Sequence, residues 1–92
     1  MVKEAEDGQR GLEILAEERD IDIIFSDYRM PNMNGYDFSK AVKTNPKYIN
    51  HSRVPIVGVG DFPDDEQEFL VKCMVKSFTS NDLIRCIQEY CR

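Results

Sequence analysis

The chain has 92 residues, 41% of them hydrophobic and 32% charged, and a formal net charge of −5. This length suits one domain over residues 1–92, and the hydrophobic share is enough for a core, which excludes a wholly disordered chain. The acidic balance, without any run of Lys or Arg, argues against a surface that binds nucleic acid directly. No apolar run reaches the roughly 20 residues that span a bilayer and no signal peptide opens the sequence, so we expect a cytoplasmic protein without a membrane segment.

The cysteines and the single histidine favour neither a metal site nor a disulfide framework. Cys73, Cys86 and Cys91 form an odd and widely spaced set, whereas a zinc site needs four closely spaced ligands. We therefore interpret them as structural or incidental thiols. His51 lies in a polar connector far from all three, and we expect it to be solvent-exposed and inert.

The first half of the chain alternates strand and helix signals. An apolar residue at every third or fourth position predicts two amphipathic helices. Their apolar stripes are Leu12, Leu15 and Ala16 in the first helix and Phe38, Ala41 and Val42 in the second. The predicted elements are an edge strand over Val2–Ala5, a helix from Asp7-Gly8 to near Arg19, a strand over Ile21–Phe25, a loop over Asp27–Asn34 and a helix that Asn45-Pro46 ends.

The second half continues the alternation. Pro55 lies near the start of a strand, where its missing N–H is tolerated, and Asp61 begins a run of acids typical of a helix N-terminus. The last helix carries an apolar stripe that consists of Leu83, Ile84, Ile87, Tyr90 and Cys91. The predicted elements are a connector over Tyr48–Arg53, a strand over Val54–Val59, a short helix from Asp61 to Leu70, a strand over Lys72–Val75 and a final helix capped by Thr79-Ser80-Asn81-Asp82.

Strands that alternate with helices through short connections favour a parallel sheet with helices on both faces. In such a sheet, functional groups gather beyond the carboxyl ends of the strands. Asp27, Gly60-Asp61 and Lys76 each follow a predicted strand, so we expect them at this edge. A carboxylate and a lysine that meet there form an anion-handling pair, because the carboxylate attacks phosphorus or binds a cation and the ammonium neutralises a phosphoryl oxygen. The alternative is a surface salt bridge that contributes less than about 1 kcal/mol.

The segment DIIFSDYRMPNMNGYDF, residues 22–38, resembles the phosphoacceptor segment of response-regulator receiver domains, the phosphorylated halves of two-component signalling systems. Three other stretches resemble the same family in the same order. VKEAEDGQRGLEIL is similar to its second strand and second helix, VPIVGV to its fourth strand, and VKSFTSNDLIRCI to its fifth strand and last helix. The resemblance implies a flavodoxin-like (CheY-like) α/β fold that is incomplete at the N-terminus, since it lacks the family's first strand and first helix.

The resemblance also implies a function and a site. Asp27 is then the phosphoacceptor, Lys76 contacts the phosphoryl group, and Mg²⁺ binds the Asp27 carboxylate and the backbone carbonyl of Arg29. The implied partners are a histidine kinase or phosphotransfer protein and a downstream effector. Such a domain catalyses at most its own phosphorylation and dephosphorylation, and it is not an enzyme that acts on a separate substrate.

Departures from the family pattern weaken the expected chemistry. The family's first strand ends in an acidic pair that holds most of the Mg²⁺, and without that pair we expect Mg²⁺ binding to be weak or lost. Gly60 stands where the family has Ser or Thr, and Cys73 stands where it has an aromatic residue, so both switch positions are degenerate. Three nearby acids either substitute as metal ligands or, as we favour, form a helix N-terminus, namely Asp61, Asp64 and Asp65.

Two functional hypotheses are open. The chain is a phosphoacceptor receiver that signals through altered partner binding, or it is a degenerate receiver-like interaction module that docks without phosphorylation. A truncated form, from an internal start or a deletion, is a third interpretation. Without the family's first strand, Val2–Ala5 and Ile21–Phe25 either pair directly or leave an unpaired edge, and we predict a dimer, a strand exchange or a rearranged sheet.

Overall fold

Four parallel strands with helices on both faces make up the computed structural model, which describes residues 7–90 and the backbone of residues 2–5. The strands are β1 (Val2–Ala5), β2 (Ile23–Asp27), β3 (Ile56–Val59) and β4 (Lys72–Met74). The helices are α1 (Gly8–Glu17), α2 (Gly35–Thr44) and α3 (Ser80–Tyr90), and two 3₁₀ segments cover Pro46–His51 and Asp64–Glu66. This confirms the predicted α/β architecture. Within the described residues, no helix is long and apolar enough to cross a membrane.

The sheet has the strand order β1-β2-β3-β4, and every neighbouring pair is parallel. Val2 pairs with Ile23 at one end of the β1–β2 ladder, and Ala5 pairs with Ser26 at the other. The two strands for which the sequence left two arrangements open therefore pair directly, which is the rearranged sheet among the predicted outcomes. β1 and β4 form the edges of the described sheet, and β2 and β3 lie inside it.

Both faces of β2 and β3 are buried, because successive strand residues point to opposite sides of the sheet. One side faces α1, α2 and the first 3₁₀ segment, and its buried residues are Leu12, Leu15, Ile21, Ile24, Phe38, Val42, Tyr48 and Ile56. The other side faces α3, and its buried residues are Ile23, Phe25, Val57, Val59, Met74 and Cys86. Helices thus cover both faces of β2 and β3, which explains why the two strands consist of near-continuous apolar runs.

The inner strands begin later than predicted. β2 begins at Ile23, two residues after the predicted start, and β3 likewise begins two residues late, at Ile56. Pro55 explains the second shift, because it has no N–H to donate and joins the ladder only through its carbonyl, which accepts from the Ile24 N–H at 3.0 Å. β2 also ends two residues later than predicted, so Asp27 is its last residue instead of a loop residue.

The helix predicted from Asp61 to Leu70 is wrong, because this segment forms a single 3₁₀ turn over Asp64–Glu66. Pro63, which precedes the turn, supplies no side-chain hydrogen bond to cap a helix. Phe62 instead anchors the segment, since its buried ring meets the Tyr28 ring edge-on with 5.0 Å between the centroids. A tertiary contact therefore overrides the local helix signal here.

Two residues assigned to apolar helix stripes lie outside the core. Ala16 is exposed, because α1 packs through a face that includes Gly8. Ile84 is 50% exposed, whereas Cys86 is fully buried. At 3.6 residues per turn the two positions lie about 160° apart around α3, so only one of them faces the sheet. The predicted stripe residue Cys91 lies outside the described residues.

The predicted cap of α3 is confirmed by a reciprocal pair of hydrogen bonds. The Thr79 N–H donates to the Asp82 Oδ2 at 2.9 Å, and the Asp82 N–H donates to the Thr79 Oγ1 at 3.2 Å. Each side chain thus satisfies a backbone donor that the first turn of the helix leaves free. The hydrogen bonds of Asp82 with the backbone and the side chain of Thr79 also hold the pKa of the Asp82 carboxyl below its ordinary value, because they favour the charged carboxylate.

His51 is buried, which corrects the expectation of an exposed and inert side chain. Its Nε2 donates to the backbone carbonyl of Glu18, 2.7 Å away, just beyond the end of α1. The reason is that the expected connector coils into the 3₁₀ segment Pro46–His51, which also buries Tyr48 in the core. His51 thus ties this segment to α1.

We expect His51→Ala to lower the free energy of unfolding by about 2 kcal/mol, because it removes a buried ring and leaves the Glu18 carbonyl without its donor. Urea denaturation followed by circular dichroism measures the change. Asn50→Ala, at an exposed position of the same segment, is the matched control and should shift the free energy by less than about 0.5 kcal/mol. Equal losses in the two variants would contradict the anchoring role of His51.

Candidate functional site

Asp27 ends β2 at the carboxyl edge of the sheet, where it pairs in register with Val59 of β3. The residue before it, Ser26, is fully buried, and its hydroxyl donates to the Asp27 carbonyl at 3.1 Å. The Asp27 side chain itself is 26% exposed. The strand therefore fixes the backbone of Asp27 while its carboxylate faces an open edge.

Lys76 lies at the same carboxyl edge of the sheet, just after β4, the last strand in the sheet order. It follows β4 by two residues, and its Nζ lies 3.6 Å from the Asp27 Oδ1. The Lys76 side chain is 65% exposed, so this ion pair adds little to stability and leaves the ammonium free to move. The structure thus brings the two predicted site residues together, while their roles in phosphoryl chemistry stay predictions.

A cleft of about 300 Å³ opens beside this pair. It is lined by Tyr28, Arg29, Val59, Gly60, Asp61 and Lys76. Two of these side chains are cationic and one is a carboxylate. Arg29 is exposed, and within residues 7–90 no carboxylate forms an ion pair with it. The cleft therefore offers two cationic groups to an anion that enters it.

Gly60 has a backbone that disfavours the Ser or Thr of the family pattern. Its φ of +108° belongs to a region that residues with a side chain rarely adopt, and a Cβ placed there would lie 3.2 Å from the Lys76 Cε. The Gly60 N–H donates to the Met74 carbonyl at 2.8 Å, which fixes this conformation against β4. The Sγ of Cys73 lies 3.5 Å from the Gly60 carbonyl and donates to it, so the two residues that the sequence predicts as degenerate switch positions contact each other.

The loop after Asp27 turns tightly because Gly35 lets α2 begin close to β2. The Gly35 N–H donates to the Tyr28 carbonyl at 2.7 Å. A Cβ on Gly35 would collide with the Asp27 carbonyl and would lie 2.5 Å from the Phe62 ring. Asn34 then caps α2, since its side chain accepts from the Asp37 N–H at 2.8 Å. These contacts fix the conformation of the loop between Asp27 and α2.

Two tyrosines that the sequence analysis did not single out connect the segment after β3 to this loop and to α2 through hydrogen bonds. The Tyr28 hydroxyl donates to Glu66 at 2.9 Å, and the Tyr36 hydroxyl donates to Glu68 at 3.0 Å. Each hydrogen bond to a glutamate raises the pKa of its tyrosine, because the bond favours the protonated phenol. The partners lie more than 30 residues apart in the sequence, and no local pattern signals such a pairing.

Few carboxylates among the described residues lie near Asp27 as candidate ligands for Mg²⁺. Among residues 7–90, no group of three or more His, Cys, Asp or Glu side chains is arranged to hold a metal ion. Asp61 lines the cleft, but Asp64 and Asp65 lie in the exposed 3₁₀ turn and do not. The Asp27 carboxylate and the Arg29 carbonyl leave most of the octahedral shell that Mg²⁺ demands to water. Weak or lost Mg²⁺ binding stays a prediction.

We expect Gly60→Ala to lower the free energy of unfolding by about 1–2 kcal/mol, because alanine is strained at this positive φ. Urea denaturation measures the loss. Gln88→Ala, at an exposed position inside α3, is the control and should be neutral or slightly stabilising, because alanine favours a helix. If Gly60→Ala is as stable as the parent chain, the backbone at this position is not constrained to glycine.

The chain matches the response regulator receiver domain family over residues 1–88. The two-component response regulator ORR11 of rice is 38% identical over 56 residues, which make up 61% of this chain and 36% of that protein. A probable chemotaxis protein CheY of Rhizobium etli is 33% identical over 60 residues, which make up 65% of this chain and 46% of that protein. The chain thus spans less than half the length of these two relatives.

Solved structures share the fold. The chemotaxis response regulator CheY4 of Vibrio cholerae has a TM-score of 0.76 and 26% identity, with 94% of this chain and 73% of that chain covered. The receiver domain of the sensor histidine kinase PA1611 of Pseudomonas aeruginosa, solved with a magnesium ion in its active site cleft, has a TM-score of 0.76 and 23% identity, with 94% and 72% covered. The flavodoxin-like, CheY-like fold class is therefore confirmed. By its sequence match and its fold, the chain belongs to the response regulator receiver domain family, the signalling domains of two-component systems.

Proposed function

We propose that this receiver accepts a phosphoryl group on Asp27 and signals through altered binding to a partner. The proposal rests on the approach of the Lys76 Nζ to the Asp27 Oδ1, 3.6 Å apart beside a cleft. A carboxylate in this position is an oxygen nucleophile, and the ammonium beside it neutralises a phosphoryl oxygen. Membership of the receiver family supports the same assignment.

The proposed transfer forms a bond between a carboxylate oxygen of Asp27 and phosphorus. With a phosphohistidine donor, the phosphorus–nitrogen bond breaks, and the imidazole leaves with the bonding electrons and takes up a proton. The donor is then a histidine kinase or a phosphotransfer protein, and we propose that the reaction takes place in the cytoplasm. In this role the chain catalyses at most its own phosphorylation and dephosphorylation.

The hydrogen bond between Tyr28 and Glu66 supports a route from Asp27 to a partner surface. Tyr28 directly follows Asp27, and Glu66 belongs to the segment between β3 and β4. A phosphoryl group on Asp27 adds negative charge beside this phenol–carboxylate pair, which disfavours the pair in its present position. A downstream effector that contacts the segment then distinguishes the two states.

A degenerate interaction module that works without phosphorylation is the second candidate. The contact between Cys73 and the Gly60 carbonyl favours this candidate. Gly60 stands at the position where the family has a hydroxyl residue, and Cys73 stands where it has an aromatic residue, so neither side chain of the family's switch is present. The lack of any cluster of three or more His, Cys, Asp or Glu side chains within residues 7–90 favours it too. In this role the same surfaces bind a partner in one fixed conformation.

Treatment with acetyl phosphate, or with beryllofluoride, in the presence of Mg²⁺ tests the first candidate. We expect an adduct on the parent chain and none on Asp27→Asn, because the amide is not a nucleophile for phosphorus. Intact-mass spectrometry measures the acyl phosphate, and Asp64→Asn, an exposed acid outside the cleft, is the control that should react like the parent chain. Identical behaviour of all three proteins would favour the interaction module.

We also propose a homodimer through the edge of β1. This strand is paired only on its β2 side within the described sheet, and an edge strand presents backbone donors and acceptors to a second chain. The four residues of β1 make a short edge, so we expect weak, concentration-dependent association.

Sedimentation velocity over a concentration series tests the dimer. We expect the weight-average sedimentation coefficient to rise with protein concentration, as mass action requires. A coefficient that stays at the monomer value at every concentration would contradict association through the β1 edge.

A further inference from the structure

Two cationic side chains line the cleft beside Asp27. Arg29 lines it, two residues after Asp27, and Lys76 lines it from beyond β4. Arg29 has no ion-pair partner within residues 7–90, and Lys76, whose ion pair with Asp27 spans 3.6 Å, keeps a side chain that is 65% exposed. Both are therefore available to a ligand of opposite charge.

The charges of the cleft balance before a ligand enters. Asp27 and Asp61 bring two negative charges, and Arg29 and Lys76 bring two positive charges. A phosphoryl group on Asp27 carries about two negative charges in place of the single charge of the carboxylate, and a receiver must compensate this added charge. The planar guanidinium of Arg29 has five donors in a fork that matches phosphoryl oxygens, and the ammonium of Lys76 adds a point charge.

The cleft also has room for this ligand. Its volume of about 300 Å³ is roughly that of ten water molecules at ~30 Å³ each. Gly60 contributes no side chain to the space, and the Cβ of any other residue there would crowd the Lys76 side chain. A tetrahedral oxyanion therefore fits beside Lys76 together with some of its water.

We propose that Arg29 and Lys76 together bind the phosphoryl group as an anion without a divalent cation. The inference rests on the proposed function for the identity of the anion, and it goes further by assigning to Arg29 the charge compensation that Mg²⁺ gives other receivers. With acetyl phosphate as donor, the bond from Asp27 oxygen to phosphorus forms and the bond from phosphorus to the acetyl oxygen breaks. Acetate leaves with the electron pair, and no proton has to move.

Asp61 distinguishes this inference from a metal-based alternative. If Arg29 and Lys76 compensate the phosphoryl charge, the carboxylate of Asp61 opposes the anion, and its removal favours binding. If Asp61 instead completes a magnesium site with Asp27, its removal disfavours every step that depends on Mg²⁺. The two roles predict changes of opposite sign for Asp61→Asn.

Titration with inorganic phosphate in the presence of EDTA, followed by amide chemical shifts, tests anion binding without any covalent step. We expect saturable shifts in residues of the cleft, about tenfold weaker binding in Arg29→Gln, as for the loss of a charge-assisted hydrogen bond, and stronger binding in Asp61→Asn. Arg53→Gln, which removes an exposed arginine from the connector before β3, is the control and should bind like the parent chain. Unchanged affinity in Arg29→Gln, or no saturable shift at all, would overturn the inference.

Acetyl phosphate with EDTA or with Mg²⁺ separates this inference from the proposed function. An adduct on Asp27 that forms in EDTA and slows about tenfold in Arg29→Gln supports both. Phosphate binding at Arg29 without any adduct supports the anion site and contradicts the phosphoacceptor function. An adduct that requires Mg²⁺ and decreases in Asp61→Asn supports the phosphoacceptor function and overturns the metal-free site.

Discussion

The burial of β2 on both faces and its pairing along both edges is the constraint on which the rest of the molecule depends. β1 and β3 take up its backbone donors and acceptors, and α1, α2 and α3 cover its two faces. Ile23, Ile24 and Phe25 alternate between the two core layers, so the strand cannot slip by one residue without exposing them. Because this register is fixed, Asp27 can only lie at the carboxyl edge of the sheet, paired with Val59.

A second constraint is the Phe62 ring, which holds three pieces of chain together at that edge. Gly35 at the start of α2 and Gly58 in β3 make room for it, since a Cβ on either would lie within 2.8 Å of the ring. Tyr28 packs against the ring edge-on. The loop after β2 and the segment after β3 are therefore packed on one side chain, and a movement of either one is felt by the other.

The site itself contributes little to the stability of the fold. The Asp27 and Lys76 side chains are 3.6 Å apart and the Lys76 side chain is 65% exposed, so solvent partly screens the pair and its geometry can change at small cost. This is compatible with the proposed phosphorylation of Asp27, which would change the charge at this position, because the fold does not depend on the pair. The two apolar layers stabilise the fold, and the charged groups at the carboxyl edge contribute little to its stability.

The sequence alone determined the alternation of strands and helices, the strand before the Asp27 loop, the cap at Thr79 and the meeting of Asp27 with Lys76, because these follow from local periodicity and from the rule that parallel strand ends share one edge. Only the tertiary structure decided that His51 is buried, that Cys86 rather than Ile84 faces the sheet, and that the segment after β3 forms no helix. Each of these outcomes depends on contacts between residues that lie far apart in the chain, such as His51 with Glu18 across 33 positions. Local patterns indicate which turns and amphipathic helices a segment favours. They do not specify which distant part of the chain a given side chain contacts.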